Sequence, residues 1–224
     1  MTKQCFTCGR TRADAFVPTQ AVLGYPNQYA KEPAVAERRQ RYIDFSRKLH
    51  AVLAPLLGER YSLHEELTVL TSRGFAGPVV RADCVAVTGI GVFVISQVDW
   101  TVKEVSLCPE KNSLRVLTAP KTYEVYPSPL RYTAPAVHFL STLLHEFEVP
   151  VDTLAVFNNE MCDFWEGVPT SFLKVSELHH FFRSRRELAY GMRSGFMDVR
   201  EMGERLRTGC RLITGPSPSQ LENI

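Results

Sequence analysis

The chain has 224 residues, of which 45% are hydrophobic and 22% are charged, and its formal net charge is +2. This size allows one good-sized core with appendages, and the near-neutral balance does not require nucleic acid or an anionic membrane as a partner. No apolar run approaches the roughly 20 residues that a membrane-spanning helix needs. The first residues lack the apolar segment of a secretory signal. We therefore predict a cytoplasmic protein without a membrane span.

The first third of the chain predicts an arm followed by helices. Residues 1–33 contain scattered glycine and proline with weak periodicity, which is typical of an irregular arm. Apolar residues recur at helical spacing over residues 34–58, so we predict an amphipathic helix that ends near Gly58. Ser62, followed by Glu65 and Glu66, matches a capping pattern and predicts a short helix that runs to about Thr71.

Short strands and helices follow in the rest of the chain. Residues 79–88 and the β-branched run at 92–95 predict two strands joined by a Gly-Ile-Gly turn. Two further strands complete a meander. The later elements are predicted as strands at 103–108 and 113–118, a helix at 129–147 with Pro135 in or just before its first turn, strands at 151–157 and 172–175, a helix at 177–186 capped by Ser176, and a basic helix at 194–207.

One aspartate and the strand after it carry a family resemblance. Asp83 is followed by a largely apolar strand, by Gly-Val-Phe-Val-Ile at residues 91–95, and then by Ser96, Gln97 and Val98. The segments at 128–131, 154–157 and 172–176 add to the likeness. Together they resemble the nuclease-related NERD family. The resemblance implies an α/β fold with a PD-(D/E)XK (restriction-endonuclease-like) core, in which helices flank a mixed β-sheet. The NERD-like domain would span residues 59–186, and residues 187–224 would form a basic helical C-terminal extension and tail.

The same resemblance identifies the expected catalytic positions. Members of the family place an Asp on one strand and Glu-x-Lys on the next, and the two carboxylates hold Mg²⁺. Here Asp83 stands at the Asp position, Ser96 at the Glu position and Val98 at the Lys position. Serine cannot supply the missing negative charge, and valine cannot stabilise a leaving phosphate. A slip by one residue would turn the site residues onto the opposite face of the sheet.

We therefore predict a non-catalytic NERD-like protein that acts by binding a protein partner. The family context suggests an accessory or inhibitor of DNA-transfer or DNA-processing machinery on a bacterial mobile element, such as a conjugative plasmid. A divergent Mg²⁺-dependent DNA nuclease is the first alternative, and nucleic-acid binding without cleavage is the second. The nuclease alternative needs a displaced carboxylate beside Asp83, and only that alternative needs Mg²⁺. The candidates for this carboxylate are Glu59, Glu65, Glu66, Asp99 and Glu104.

A cysteine pair near the N-terminus is a candidate metal site. Cys5 and Cys8 have the spacing of half a zinc knuckle, but structural zinc takes four ligands and the chain has no second Cys-x-x-Cys. Another cysteine, a histidine or a second chain would have to complete the site. A free thiol pair in the arm is the alternative.

Basic and aromatic residues outside the predicted core are candidates for binding nucleic acid or a partner. Arg38 and Arg39 lie on the first helix, and Arg183, Arg185 and Arg186 lie on a later one. Nearby acidic residues favour solvated helix faces as the alternative. Trp100 and Trp165 are predicted at loop ends, where they would either bind a partner or cover the sheet edge. His179 and His180 point about 100° apart on a helix, so they cannot serve one metal ion.

Overall fold

The computed structural model describes residues 20–24, 33–70, 79–108, 113–165, 167–191 and 197–210. They form an α/β fold with two mixed β-sheets flanked by helices. The ten strands are β1 (Gln20–Leu23), β2 (Tyr61–Leu70), β3 (Val79–Thr88), β4 (Gly91–Val98), β5 (Glu104–Cys108), β6 (Ser113–Ala119), β7 (Thr122–Pro127), β8 (Val151–Phe157), β9 (Asp163–Phe164) and β10 (Phe172–Lys174). The helices are α1 (Pro33–Leu57), α2 (Pro129–Tyr132), α3 (Ala134–Leu143), α4 (Leu178–Gly191) and α5 (Val199–Gly209).

The first sheet has six strands in the order β1-β2-β3-β4-β8-β10. Neighbouring strands are antiparallel from β1 to β4, whereas β8 is parallel to both β4 and β10. The predicted strands at 79–88, 92–95 and 151–157 are confirmed. The predicted helix from Ser62 to Thr71 is wrong, because residues 61–70 form β2 and pair along their length with β3. Strand β2 is therefore the first member of the β2-β3-β4 meander.

Two apolar clusters cover the faces of the first sheet. Leu140 of α3 and Met202 and Leu206 of α5 pack on one face, and Phe45, Leu49, Leu53 and Leu57 of α1 pack on the other with Leu178 and Phe182 of α4. Helix α1 begins close to the predicted start and ends before Gly58, whose positive φ of 62° suits glycine. Both α1 and α5 thus contribute buried residues to the cores built on this sheet.

The alternation of side chains along β3 shifts by one residue at Asp83 and Cys84. Ala82 and Val85 belong to the same cluster, although regular alternation would place them on opposite faces. The pairing with β2 is also interrupted here, because Glu65↔Cys84 is followed by Leu67↔Ala82. Acidic residues occupy this interruption on both strands. Arginines of α1 lie beside this interruption, and the candidate site is located there.

The second sheet has four strands in the order β7-β6-β5-β9. The predicted strands at 103–108 and 113–118 are found with slightly different ends, but they lie in this separate sheet rather than extending the meander of β3 and β4. Strand β7 had not been predicted. Val105, Leu114 and Val116 pack with Phe157 and Phe172 in a third cluster, which joins the second sheet to the first.

The remaining helices differ from the predicted ones in their bounds, and one of them is divided. The predicted helix at 129–147 is divided into α2, α3 and a 3-10 turn at 145–147, and Pro135 lies in the first turn of α3. Ser176 does not cap α4. It lies in a 3-10 turn at 175–177 and its hydroxyl donates to Glu160. The cap of α5 is Asp198, which accepts from the N–H groups of Arg200 and Glu201. No helix among the described ranges is long and apolar enough to cross a membrane.

Candidate functional site

Asp83 and the two positions that replace Glu and Lys lie on adjacent strands. The β3–β4 pairing ends at Cys84↔Ile95, so Asp83 and Ser96 are the next residues on either side. Oδ2 of Asp83 accepts a hydrogen bond of 2.7 Å from the backbone N–H of Gln97. Val98 is 3% exposed and packs in the third cluster. Among the three positions that the family resemblance predicts as catalytic, Asp83 holds the one carboxylate.

A group of paired charges surrounds Asp83, and we refer to it as the charged cluster. Glu66 is 5% exposed and meets two guanidinium groups: its Oε2 is 3.5 Å from Arg38 Nε, and its Oε1 is 3.4 Å from Arg81 Nε. Oε1 of Glu65 lies 3.3 Å from Arg39 Nε. The other members are Asp83 itself and the pair Arg41–Asp99, in which Nη2 lies 2.6 Å from Oδ2. Arg38, Arg39 and Arg41 all come from α1, so this helix brings three cations to the glutamates of β2 and to Asp99 after β4.

Burial dominates the electrostatics of Asp83. It raises the pKa of this carboxyl from 3.8 to about 6, since little solvent reaches the charged form. The hydrogen bond from Gln97 and the positive charge of Arg41 act in the opposite direction, while Glu66 and Asp99 raise the pKa further. Two other carboxylates therefore lie close enough to Asp83 to influence its charge. Both of them were among the candidates for a displaced metal ligand.

The residues present do not fit a Mg²⁺ site of the expected kind. The expected site holds Mg²⁺ through two carboxylates, but Ser96 and Val98 supply no second carboxylate. The described residues also contain no group of three or more His, Cys, Asp or Glu side chains that could hold a metal ion. Guanidinium groups from α1 and β3 lie against Glu65, Glu66 and Asp99. The other two candidates lie elsewhere: Glu59 lines a cleft beside α5, and Glu104 begins β5 in the second sheet.

Each predicted basic residue contacts an acidic side chain or a backbone carbonyl. Arg38 and Arg39 belong to the charged cluster. Arg183 pairs with Glu187 at 3.0 Å, and Arg185 lies 3.1 Å from Asp152. Arg186 donates from Nη1 to the carbonyl of Leu56 and so ties α4 to the end of α1.

The two tryptophans and the cysteine pair have different outcomes. Trp165 is 59% exposed after β9, as predicted for a loop end. Trp100 instead packs against Tyr126 and Phe157 in the third cluster, with ring centroids 4.7 and 5.8 Å apart. The proposed zinc ligands Cys5 and Cys8 lie outside the described residues.

Sequence reasoning missed a pair of polar side chains on β2. Ser62 Oγ lies 3.0 Å from Nε2 of His64. The two residues share a face because they are two positions apart on a strand. The helix prediction hid this relationship, since positions i and i+2 of a helix do not face each other. Recognising the strand would have brought Ser62 and His64 together.

Comparison of the chain with protein-family models, with curated proteins and with solved structures finds no match. The site is therefore interpreted from its own residues and geometry.

Proposed function

We propose that this protein is a degenerate NERD-like member of the PD-(D/E)XK group that acts by binding a protein partner. Its role would be that of an accessory or inhibitor of DNA-transfer or DNA-processing machinery on a bacterial mobile element. The element order supports the fold proposal: α1 precedes the antiparallel strands β2, β3 and β4, and α3 leads to β8, which is parallel to β4. This is the helix, three-strand meander, helix and strand order of the restriction-endonuclease-like core.

The functional proposal rests on what the acidic side chains contact. Asp83 accepts from the backbone of Gln97, and Glu66 is bridged by Arg38 and Arg81. In a metal-dependent nuclease, acidic side chains at such positions are free to bind Mg²⁺. Here the cations beside Glu66 belong to the protein, and they connect α1 to β2 and β3. This arrangement favours a structural role for the acidic residues.

Exposed apolar side chains on the second sheet support a protein-binding role. Most of the exposed large hydrophobic residues in the described ranges lie in this sheet or in the loops before and after β9: Leu107, Tyr123, Val125, Met161 and Trp165. By strand register, Tyr123 and Leu117 are partners, as are Val125 and Arg115, and the Arg115 guanidinium lies 3.9 Å from the centre of the Tyr123 ring. Aromatic residues and arginine are enriched in protein interfaces. We refer to Tyr123, Val125 and Trp165 as the second-sheet surface.

A divergent nuclease is the second candidate, and the position of Glu66 and Asp99 near Asp83 favours it. A cleavage assay on duplex and single-stranded DNA, titrated with Mg²⁺ and Mn²⁺, separates the two functions. Our proposal expects no metal-dependent cleavage above that of an Asp83→Ala control. Cleavage by the natural sequence that disappears in Asp83→Ala and in Glu66→Gln would reject the non-catalytic proposal.

The binding role needs its own experiment. The tagged full-length chain would be purified from a bacterium that carries a conjugative plasmid, and proteins of the transfer machinery would be identified by mass spectrometry. We expect one of them to be retained by the natural sequence and lost with the double substitution Val125→Ala and Trp165→Ala. Leu188→Ala is the matched control, because Leu188 is 56% exposed on α4, outside the second-sheet surface. Retention of DNA with a steep salt dependence, without a protein, would favour the nucleic-acid alternative.

A further inference from the structure

A polar cleft separates β2 from α5 on the side opposite α1. It has a volume of about 280 Å³ and its lining includes Ser62, His64, Gly203 and Arg207. Helix α5 passes closely over the two β2 side chains, because a Cβ atom at Gly203 would lie 3.4 Å from Ser62 Oγ and 3.6 Å from His64 Nε2. Glycine at this position leaves both polar atoms accessible from the cleft.

Arg207 places a positive charge beside Ser62 and His64 in this cleft. Its charged lining residues are Glu59, Arg200 and Arg207. Arg200 lies 3.5 Å from Glu204, whereas Arg207 is exposed and has no ion-pair partner among the described residues. Burial, with the nearby charge of Arg207, lowers the pKa of His64 from 6.5 to about 4. His64 is therefore neutral at pH 7, and an anion bound between these groups would favour its second proton against the cost of burial and the repulsion by Arg207.

We propose that this cleft binds the phosphate group of a phosphate monoester through Arg207, Ser62 and His64. The three groups come from two elements and approach one volume, which suits the several oxygens of a tetrahedral oxyanion. A guanidinium donates to phosphate with charge-assisted hydrogen bonds, and the serine hydroxyl adds a neutral donor. In the doubly protonated ring Nε2 of His64 carries a proton, so it can donate to Ser62 Oγ while the Ser62 hydroxyl donates to the phosphate. No covalent step is involved.

The organic part of the phosphate ester would lie in a second cleft that adjoins the first. A second cleft of about 430 Å³ shares Glu59, Val199 and Arg200 with the first. It adds Arg60, Met197 and Asp198 to the lining. Together the two clefts reach the size range of small-molecule sites. The apolar surface of Met197 and Val199 would contact the organic part of the ester while its phosphate lies beside Arg207.

Nuclear magnetic resonance of the His64 imidazole tests this proposal directly. The full chain would be titrated with inorganic phosphate and then with phenyl phosphate, with chloride keeping the ionic strength constant. We expect a saturable shift of the His64 signals, a rise in the pKa of His64, and tighter binding of phenyl phosphate than of inorganic phosphate. Arg207→Gln should weaken binding by about tenfold or more, as expected for loss of a charged donor. Arg205→Gln is the matched control, since it makes the same charge change on α5 while Arg205 lies near Glu146.

A second variant separates binding from folding. The methyl group of Gly203→Ala would make ordinary van der Waals contact with Ser62 and His64, so the helix should form at least as well. It would also cover both polar atoms, and we expect about tenfold weaker phosphate binding. Equal weakening by Arg205→Gln and Arg207→Gln would overturn the proposal, as would unchanged binding to Gly203→Ala.

The source of the phosphate is distinguished by a further titration. A short single-stranded oligonucleotide would be compared with and without a 5′-phosphate, alongside a nucleoside monophosphate. Preference for the 5′-phosphorylated oligonucleotide would identify a nucleic-acid end, and preference for the mononucleotide would identify a small metabolite. If neither phosphorylated compound shifts the His64 signals, the cleft does not bind phosphate monoesters. These outcomes are independent of the proposed partner-binding role.

Discussion

The carboxylate of Asp83 accepts a 2.7 Å hydrogen bond from the backbone N–H of Gln97 at the point where β3 and β4 stop pairing. Beyond this point β4 continues to pair with β8, as far as Val98↔Phe157. The N–H of Gln97 therefore needs an acceptor that β3 no longer supplies through its main chain. The side chain of Asp83 provides that acceptor, which gives this residue a structural use in the sheet.

Two substitutions of Asp83 should differ in their effect on stability. Asp83→Asn keeps a side-chain oxygen for the Gln97 N–H, whereas Asp83→Ala removes it. We expect the alanine variant to be less stable than the asparagine variant by about 1–2 kcal/mol, the usual cost of a partly buried donor without its acceptor. Urea denaturation at pH 7.5 measures the difference. Equal stabilities of the two variants would mean that the hydrogen bond contributes nothing.

Asp83 also makes a testable contribution to pH dependence. Its pKa is raised from 3.8 to about 6, so the folded state holds this proton more tightly than the unfolded state. The free energy of unfolding should therefore fall as the pH rises from about 4 to about 6, by an amount on the order of 2–3 kcal/mol from this group alone. Asp83→Asn should remove this contribution, so its free energy of unfolding should rise with pH over this range relative to that of the natural sequence, and denaturation curves at several pH values would detect the change.

His64 should have the opposite effect on the free energy of unfolding, over nearly the same pH range. Its pKa is lowered from 6.5 to about 4, so the unfolded state binds the proton more tightly. Stability from this group is present above pH 6.5 and is lost as the pH falls towards 4. We expect the two effects to compensate largely in the natural sequence. His64→Gln should expose the fall caused by Asp83, and Asp83→Asn should expose the rise caused by His64. Parallel pH profiles in the two variants would contradict this assignment.

The ion pairs of Glu66 should contribute more to the free energy of unfolding than ion pairs on the surface do. Glu66→Gln leaves Arg38 and Arg81 facing a neutral amide in a nearly buried site, so we expect a loss of about 1–3 kcal/mol. Glu187→Gln is the control, because the Arg183–Glu187 pair is well exposed and such pairs contribute roughly 0–1 kcal/mol. Chemical denaturation of both variants tests the difference. A similar loss in the two would show that burial does not strengthen the Glu66 pairs.

Gly209 leaves room for the side chain of Leu143 where α5 ends against α3. A Cβ atom at Gly209 would overlap the side chain of Leu143. We expect Gly209→Ala to lower the free energy of unfolding by about 1–3 kcal/mol, the usual range for overpacking. The loss should be smaller in a Leu143→Ala background, and a double-mutant cycle measures this coupling. Gly203→Ala serves as the control on the same helix, because its Cβ has room.

Local patterns predicted most of the elements but not the correct type for β2. The run of β-branched residues at 92–95 and the helical spacing in 34–58 agree with β4 and α1. Glu65 and Glu66 account for the wrong helix prediction, since two adjacent glutamates after a serine are typical of a helix start. In the structure the strand holds them at the interruption opposite Asp83, where arginines from α1 balance their charge. That compensation depends on contacts distant in sequence, which a local pattern cannot reveal.

The sequence by itself determined the residue types at the positions that the family resemblance predicts as catalytic: Asp83 is acidic, and Ser96 and Val98 cannot replace Glu and Lys. It also determined the apolar runs that form the sheet, because alternation and β-branching are local properties. Tertiary structure alone decided what the acidic residues contact. Helix α1 brings Arg38 to Glu66. The pairing of β3 with β4 ends before Gln97, so the backbone N–H of Gln97 donates to the side chain of Asp83. Tertiary structure likewise decided the cleft of Ser62, His64 and Arg207, which exists because α5 packs across β2.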